Sequence, residues 1–139
     1  HNMAYSDRVV KRFENVLKNP EKHSVGRFDP EDPNIGTGMV GAPACGDVMR
    51  LQLQVENGII NDVKFKTYGC GSAIASSSEL VDMLTGKTLE QAEAVTNKQI
   101  AEILDLPPIK LHCSVLAQES IAKALADYRR KDNYRSSDG

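Results

Sequence analysis

Tryptophan is absent from the sequence and aromatic residues make up only 5% of it, so a packed interior has to be built from Val, Ile, Leu and Ala. A basic excess is also missing. The formal net charge is -2, which argues against a general nucleic-acid or anionic-membrane binder, since both need clustered positive charge. No apolar run approaches the ~20 residues of a spanning helix. Cysteine is scarce and odd in number, with three residues and no CxxC pair. A secreted disulfide framework pairs its cysteines, so reduced thiols are expected. No signal or transit peptide is visible. His1–Met3 read as a tag remnant, residues 4–130 as one domain and residues 131–139 as a flexible polar tail.

Hydrophobic spacing supplies the elements. Residues 6–18 read as an amphipathic helix with Ser6 at its N-cap, ended by Pro20. Residues 19–46, with four prolines and five glycines, read as a long loop, or as one hiding a short strand near 25–28. Residues 48–56 place Met49, Leu51, Leu53 and Val55 on one face and Arg50, Gln52, Gln54 and Glu56 on the other. Asn57-Gly58 then predicts a tight hairpin turn, because a type I′ turn needs positive φ at both positions. A returning strand follows over 59–68, then a helix over 72–84 that Gly86 terminates. Thr88-x-x-Gln91 is a capping box, and Asn97 is placed to cap a further short helix through Leu104. Pro107-Pro108 predicts an extended "LPPIK", and residues 114–130 a long final helix. The order implies an α+β fold, with a small antiparallel sheet of about three strands packed against helices.

Each cysteine falls at a junction between these elements. Cys45 lies in "GAPACGDV", Cys70 in "YGCGS" and Cys113 beside His112 at the start of the last helix. Cys70 and Cys113 stand at helix N-termini, where the dipole and free N–H groups favour thiolate over thiol. With Asp47 and His112 they make a mixed S, O and N donor set that suits Zn²⁺ or an iron–sulfur centre. Asp47 fits a turn or cap role equally well at this point. Ser76-Ser77-Ser78 reads as a small-residue packing face, His23 as solvated and the basic C-terminus as a solvated helix end.

Three blocks carry a family signature: "GTGMVGAPACGDVM" (36–49), "FKTYGCGSAIASSS" (65–78) and "LPPIKLHCS" (106–114). They closely resemble the IscU/NifU-N-type iron–sulfur cluster assembly scaffolds, in family order over nearly all of residues 4–130. The resemblance implies a scaffold rather than an enzyme. A nascent [2Fe–2S] cluster is built on it from iron and from persulfide sulfur delivered by a cysteine desulfurase. A ferredoxin supplies electrons, frataxin modulates the process, and the cluster passes to apo-protein acceptors. It further implies Cys45, Cys70 and Cys113 as sulfur ligands and persulfide acceptors, and Asp47 and His112 as exchanging ligands. Zn²⁺ can occupy the same site in the isolated protein. Leu106, Pro107, Pro108, Ile109 and Lys110 correspond to the segment gripped by a specialised Hsp70-type chaperone with its J-type co-chaperone, with Leu106 and Ile109 as apolar anchors. The family works in the bacterial cytoplasm and in the mitochondrial matrix or related organelles.

Two departures stand out. Ile109 replaces the family's valine, and the connection over residues 15–28 is longer than is common in the family. Two other functions fit the residues: a thiol sulfurtransferase with Cys113 as nucleophile and His112 as base, and a binding module whose zinc only holds the fold.

Overall fold

The computed structural model of the chain describes residues 5–42 and 46–138; the expected tag remnant lies outside them. Helix α1, Asp7–Lys18, begins where predicted: Ser6 Oγ accepts the Val9 N–H at 3.2 Å, and Asp7 complements the positive end of the helix. Strands β1 (Ile35–Ala42), β2 (Asp47–Glu56) and β3 (Ile59–Tyr68) form an antiparallel sheet in the order β1-β2-β3. Four helices follow: α2 (Gly71–Leu84), α3 (Leu89–Glu93), α4 (Asn97–Leu104) and α5 (Leu111–Asp138). No helix among the described residues is long and apolar enough to cross a membrane.

The β2–β3 hairpin is as the alternation implies, turning at Asn57 and Gly58 with φ of 54° and 76°. Met49, Leu51, Leu53 and Val55 are buried, as are Val63 and Phe65 across from them. Gln52 is a partial exception to the polar face, being 1% exposed. Its amide is fully used there: Oε1 accepts the Phe28 N–H at 2.8 Å, and Nε2 donates to the Phe28 carbonyl and Thr37 Oγ1, each at 3.0 Å. Those bonds offset the desolvation of a buried amide.

Strand β1 is the main departure from the expected loop. The segment "IGTGMVGA" hides its strand character because glycines occupy the side that meets α5. A Cβ at Gly36 would overlap the Ala124 carbonyl oxygen, and one at Gly38 would overlap the Ser120 carbonyl oxygen. The bare backbone is therefore what lets the long helix lie directly on the sheet. Near 25–28, the suspected strand reduces to a single parallel bridge from Val25 to Phe65 along the outer edge of β3.

Three helix boundaries also move. Thr96, not Asn97, caps α4, and Thr96 and Gln99 form a capping box like that of Thr88 and Gln91. "LPPIK" is extended only through Pro107; Pro108–Lys110 is a 3₁₀ turn and α5 starts at Leu111. Proline is well tolerated in a first helical turn, where its missing N–H would have no partner anyway. At the other end α5 continues past Arg130 to Asp138. Lys131 anchors this stretch by donating to the carbonyls of Pro30 at 2.6 Å and Ile35 at 2.7 Å.

Asp127 completes that clasp, accepting the Thr37 N–H at 2.9 Å and pairing with Arg130 at 2.9 Å and Lys131 at 3.2 Å. Burial raises its pKa, but the Thr37 N–H and the two cations outweigh it and hold the carboxyl below the ordinary value of 3.8. A depressed folded pKa contributes stability above the unfolded value, and that contribution is lost as pH falls below 3.8 through the folded value. Asp127→Asn should therefore cost about 1 kcal/mol at pH 7 and flatten the acid limb of the stability curve, measured by urea unfolding between pH 7 and 3. An unchanged acid limb would contradict this role.

Candidate metal centre

Strand alternation places Asp47 on the core face. It shares the odd-numbered side of β2 with Met49 and Leu51 and is 1% exposed. Its carboxylate emerges between the end of β3 and the first turn of α5. Oδ1 accepts the Cys70 N–H at 3.1 Å, and Oδ2 lies 2.8 Å from His112 Nε2. Gly69 is required by this insertion, since a Cβ there would overlap the Asp47 carboxylate. Asp47 is thus a connector of three elements as well as a potential oxygen ligand, and a simple turn or cap role does not describe it.

Cys70 is the N-cap of α2, and Cys113 sits in the opening turn of α5 beside His112. Their Sγ atoms are 3.8 Å apart, and Cys113 Sγ is 3.5 Å from His112 Nε2. One ligand atom each from Asp47, His112 and Cys113 fall within 4.8 Å of one another. Four of the five residues expected at the site therefore converge, from the start of β2, the start of α2 and the start of α5. The fifth, Cys45, lies outside the described residues, two positions before Asp47 in the chain.

Cys113 differs in state from the sequence expectation. Cys113 is 0% exposed. Burial pushes its thiol well above the ordinary range, and neighbouring Cys70 and Asp47 push it further, against a smaller opposing pull from Lys110. Burial outweighs the helix dipole here, so without a cation Cys113 is a thiol. Lys110 reports the same negative potential from outside: facing Cys70 raises its ammonium pKa above the usual value despite some desolvation. A metal cation reverses this local balance, because a coordinated thiol gives up its proton. In the metal-free chain, iodoacetamide at pH 8 should modify Cys70, which is half-buried, at least ~10-fold faster than Cys113. Peptide mass spectrometry over time reads the two rates, and equal rates would contradict the buried-thiol assignment.

Several apolar residues close in sequence to the ligating positions are exposed. Tyr68, Ile109, Leu111 and Val115 are all at least 40% exposed. Leu106, one of the two apolar anchors the resemblance implies, is buried at 8% and its N–H donates to the Ala101 carbonyl at 3.0 Å. The serine run behaves as expected of a packing face. Ser76, Ser77 and Ser78 are buried, and Ser77 Oγ bonds the Ala73 carbonyl and Thr67 Oγ1 at 3.0 and 2.6 Å. One feature of the charged surface escaped the sequence, a cavity that Lys22 and His23 line together with α1, because its walls come from four separate segments.

Comparison with known proteins places this arrangement. Residues 4–135 match the family described as the NifU-like N terminal domain. The chain is 60% identical over 130 residues to the iron-sulfur cluster assembly scaffold protein IscU of Azotobacter vinelandii, covering 93% of this chain and 97% of that one. To the protein of the same name from Escherichia coli K12 it is 55% identical over 130 residues, with the same coverage of 93% and 97%. Among solved structures it superposes with TM-score 0.66 on a putative iron-sulfur cluster assembly scaffold protein for the SUF system from Fervidobacterium islandicum AW-1. That pair is 23% identical and covers 88% of this chain and 97% of the other. A nitrogen-fixing NifU-like protein (N-terminal) from Brucella abortus gives TM-score 0.59 at 16% identity, covering 94% of this chain and 95% of that one. At those identities the structures speak for the fold alone.

Proposed function

Since this chain belongs to the family of NifU-like N-terminal domains, we propose that its cargo is an iron–sulfur cluster held where Asp47, Cys70, His112 and Cys113 converge. The chain is a scaffold for iron–sulfur cluster assembly, a carrier rather than an enzyme, and works with a cysteine desulfurase and acceptor proteins. The observation that carries the site assignment is the meeting of two thiols, an imidazole and a carboxylate at one end of the sheet.

Ligand arithmetic sharpens the reading. A [2Fe–2S] cluster in an all-cysteine site takes four thiolates, and the chain has three cysteines. With Cys45, two positions before Asp47 in the sequence, as the third thiolate, a fourth ligand from this chain has to be Asp47 or His112. A shared position of that kind suits exchange, because a carboxylate or imidazole binds iron less firmly than thiolate sulfur. The three thiols are also the candidate persulfide acceptors, and the same donors suit Zn²⁺ when iron and sulfide are absent. Ferredoxin and frataxin are further partners of this reading, and the bacterial cytoplasm or a mitochondrial matrix its compartment.

The structure argues against the two other chemistries. A sulfurtransferase nucleophile at Cys113 needs an accessible thiolate, and Cys113 is buried with its pKa raised. A purely structural zinc site would close over its ion, whereas Cys70 is half-buried and His112 has 30% of its side chain exposed. Anaerobic reconstitution with iron, sulfide and a desulfurase should give a labile visible chromophore that moves to an apo-ferredoxin. Cys45→Ser, Cys70→Ser and Cys113→Ser should each reduce it at least ~10-fold. Full transfer by the Cys45 and Cys70 variants would favour the sulfurtransferase instead.

Residues 106–110 form the proposed handle for a Hsp70-type chaperone and its J-type partner. Ile109 is 76% exposed and ready to be held, while Leu106 is buried. Gripping the segment as an extended strand therefore extracts Leu106 from the core and unwinds the 3₁₀ turn ahead of His112 and Cys113. Pro107 and Pro108 lower the entropy cost of that capture. Pro107→Ala/Pro108→Ala should weaken chaperone binding and lower chaperone-stimulated transfer in step, read by calorimetry and by transfer rate. Weaker binding with undiminished stimulation would break the coupling.

A further inference from the structure

A cavity of about 520 Å³ lies between α1, the 3₁₀ turn Glu21–His23, the C-terminal half of α2 and the end of α4. It is remote from the cluster site: at ~1.5 Å rise per residue, Glu79 stands roughly 14 Å along α2 from the N-cap Cys70. Its volume falls in the range of small-molecule sites, about 300–1,000 Å³.

The charge in it is unusual for this molecule. Arg8, Lys11, Arg12 and Lys22 line the cavity against only two carboxylates, Glu79 and Asp82, in a chain whose formal net charge is -2. Arg12 spans both carboxylates, at 2.8 Å to Glu79 and 2.7 Å to Asp82, and also donates to Ser78 Oγ at 3.0 Å. Arg8 spends one N–H on the Ile103 carbonyl at 2.8 Å. Lys11 and Lys22 have no ion pair or side-chain hydrogen bond among the described residues. The four cations and two carboxylates leave an uncompensated excess of two positive charges in the lining, which also includes His23. That matches the ≈ −1.5 to −2 charge of a phosphate monoester at neutral pH, whose three oxygens accept from several donors at once.

Part of the wall is apolar, built from Val81, Ile103 and Leu104. A bare anion would leave that wall in water, whereas the organic part of a phosphorylated small molecule covers it. The floor is firm: Glu79 is 6% exposed, and burial raises its carboxyl pKa while Arg12 pulls the other way. Much of the rim is supplied by the connection over residues 15–28, with Ser24 in a left-handed turn at φ 70° turning the chain back toward the sheet.

We propose that this cavity binds an organic phosphate, with Lys11, Lys22 and Arg8 receiving the phosphate and the wall of Val81, Ile103 and Leu104 receiving the organic body. The assignment does not rest on the cluster site, and its failure would leave the scaffold reading intact.

Titration of the full metal-free chain with AMP, pyrophosphate and inorganic phosphate, followed by calorimetry and amide chemical-shift mapping, tests it. AMP should bind with one-to-one stoichiometry, at least ~10-fold tighter than inorganic phosphate, and shift amides in α1, residues 21–24 and residues 78–82. Lys11→Glu/Lys22→Glu should weaken AMP at least ~10-fold, while Cys113→Ser leaves it unchanged. Absence of saturable binding, equal affinity for AMP and inorganic phosphate, insensitivity to the charge reversal, or shifts clustered instead near Lys66 and Lys110 would each overturn the proposal. The shift map on the unaltered chain decides the matter even if the double variant folds poorly.

Discussion

The Asp47 carboxylate, buried at the open end of the sheet, is the constraint on which the site depends. Taking a carboxylate out of water costs several kcal/mol unless its oxygens find partners. Here one oxygen takes the Cys70 N–H and the other meets His112. Those two contacts fix the start of α2 and the first turn of α5 relative to β2, which brings the Cys70 and Cys113 sulfurs to 3.8 Å. Two glycine features serve the same geometry. Gly69 leaves room for the carboxylate, while Gly36 and Gly38 let α5 lie close enough on β1 for its first turn to reach the sheet end. The ligand cluster is therefore a property of the whole α5–sheet contact rather than of one loop.

This arrangement accounts for a site that holds its cargo without holding it permanently. The metal-free state keeps Cys113 protonated and its neighbours hydrogen-bonded to one another, so the ligands already satisfy each other. On the proposed ligand set, cargo would displace the Asp47–His112 contact and the Cys113 proton, which would temper affinity and favour reversible release. Tyr68, Ile109, Leu111 and Val115, each within a few residues of Cys70, His112 or Cys113 in sequence, are exposed. The segment that leads into the ligands keeps Leu106 in the core, tying site opening to local unfolding of the α4–α5 connection.

Much of this was legible in the chain. Strict alternation and Asn57-Gly58 determined the hairpin, and capping signals located α1 and α3. Cys70 and Cys113, both expected at element junctions, lie 3.8 Å apart, and the three motif blocks indicated the family. What escaped the sequence did so for definite reasons. Strand β1 carries glycines where a strand normally shows apolar side chains, because its neighbour is a helix backbone. Pro108 was read as a barrier to helix although a first turn accepts proline. The dipole argument for a Cys113 thiolate omitted desolvation, which only the packed structure reveals. The burial of Leu106 is not legible locally, because nothing in the sequence indicates that the α4–α5 connection folds inward.

The central claim, that three thiolates and one non-sulfur side chain hold the cluster, is tested most directly by Mössbauer spectroscopy of the chain loaded with ⁵⁷Fe and sulfide. Two inequivalent iron sites are expected, one coordinated by sulfur alone and one bearing a nitrogen or oxygen ligand from His112 or Asp47. Two indistinguishable irons in all-sulfur surroundings would contradict it.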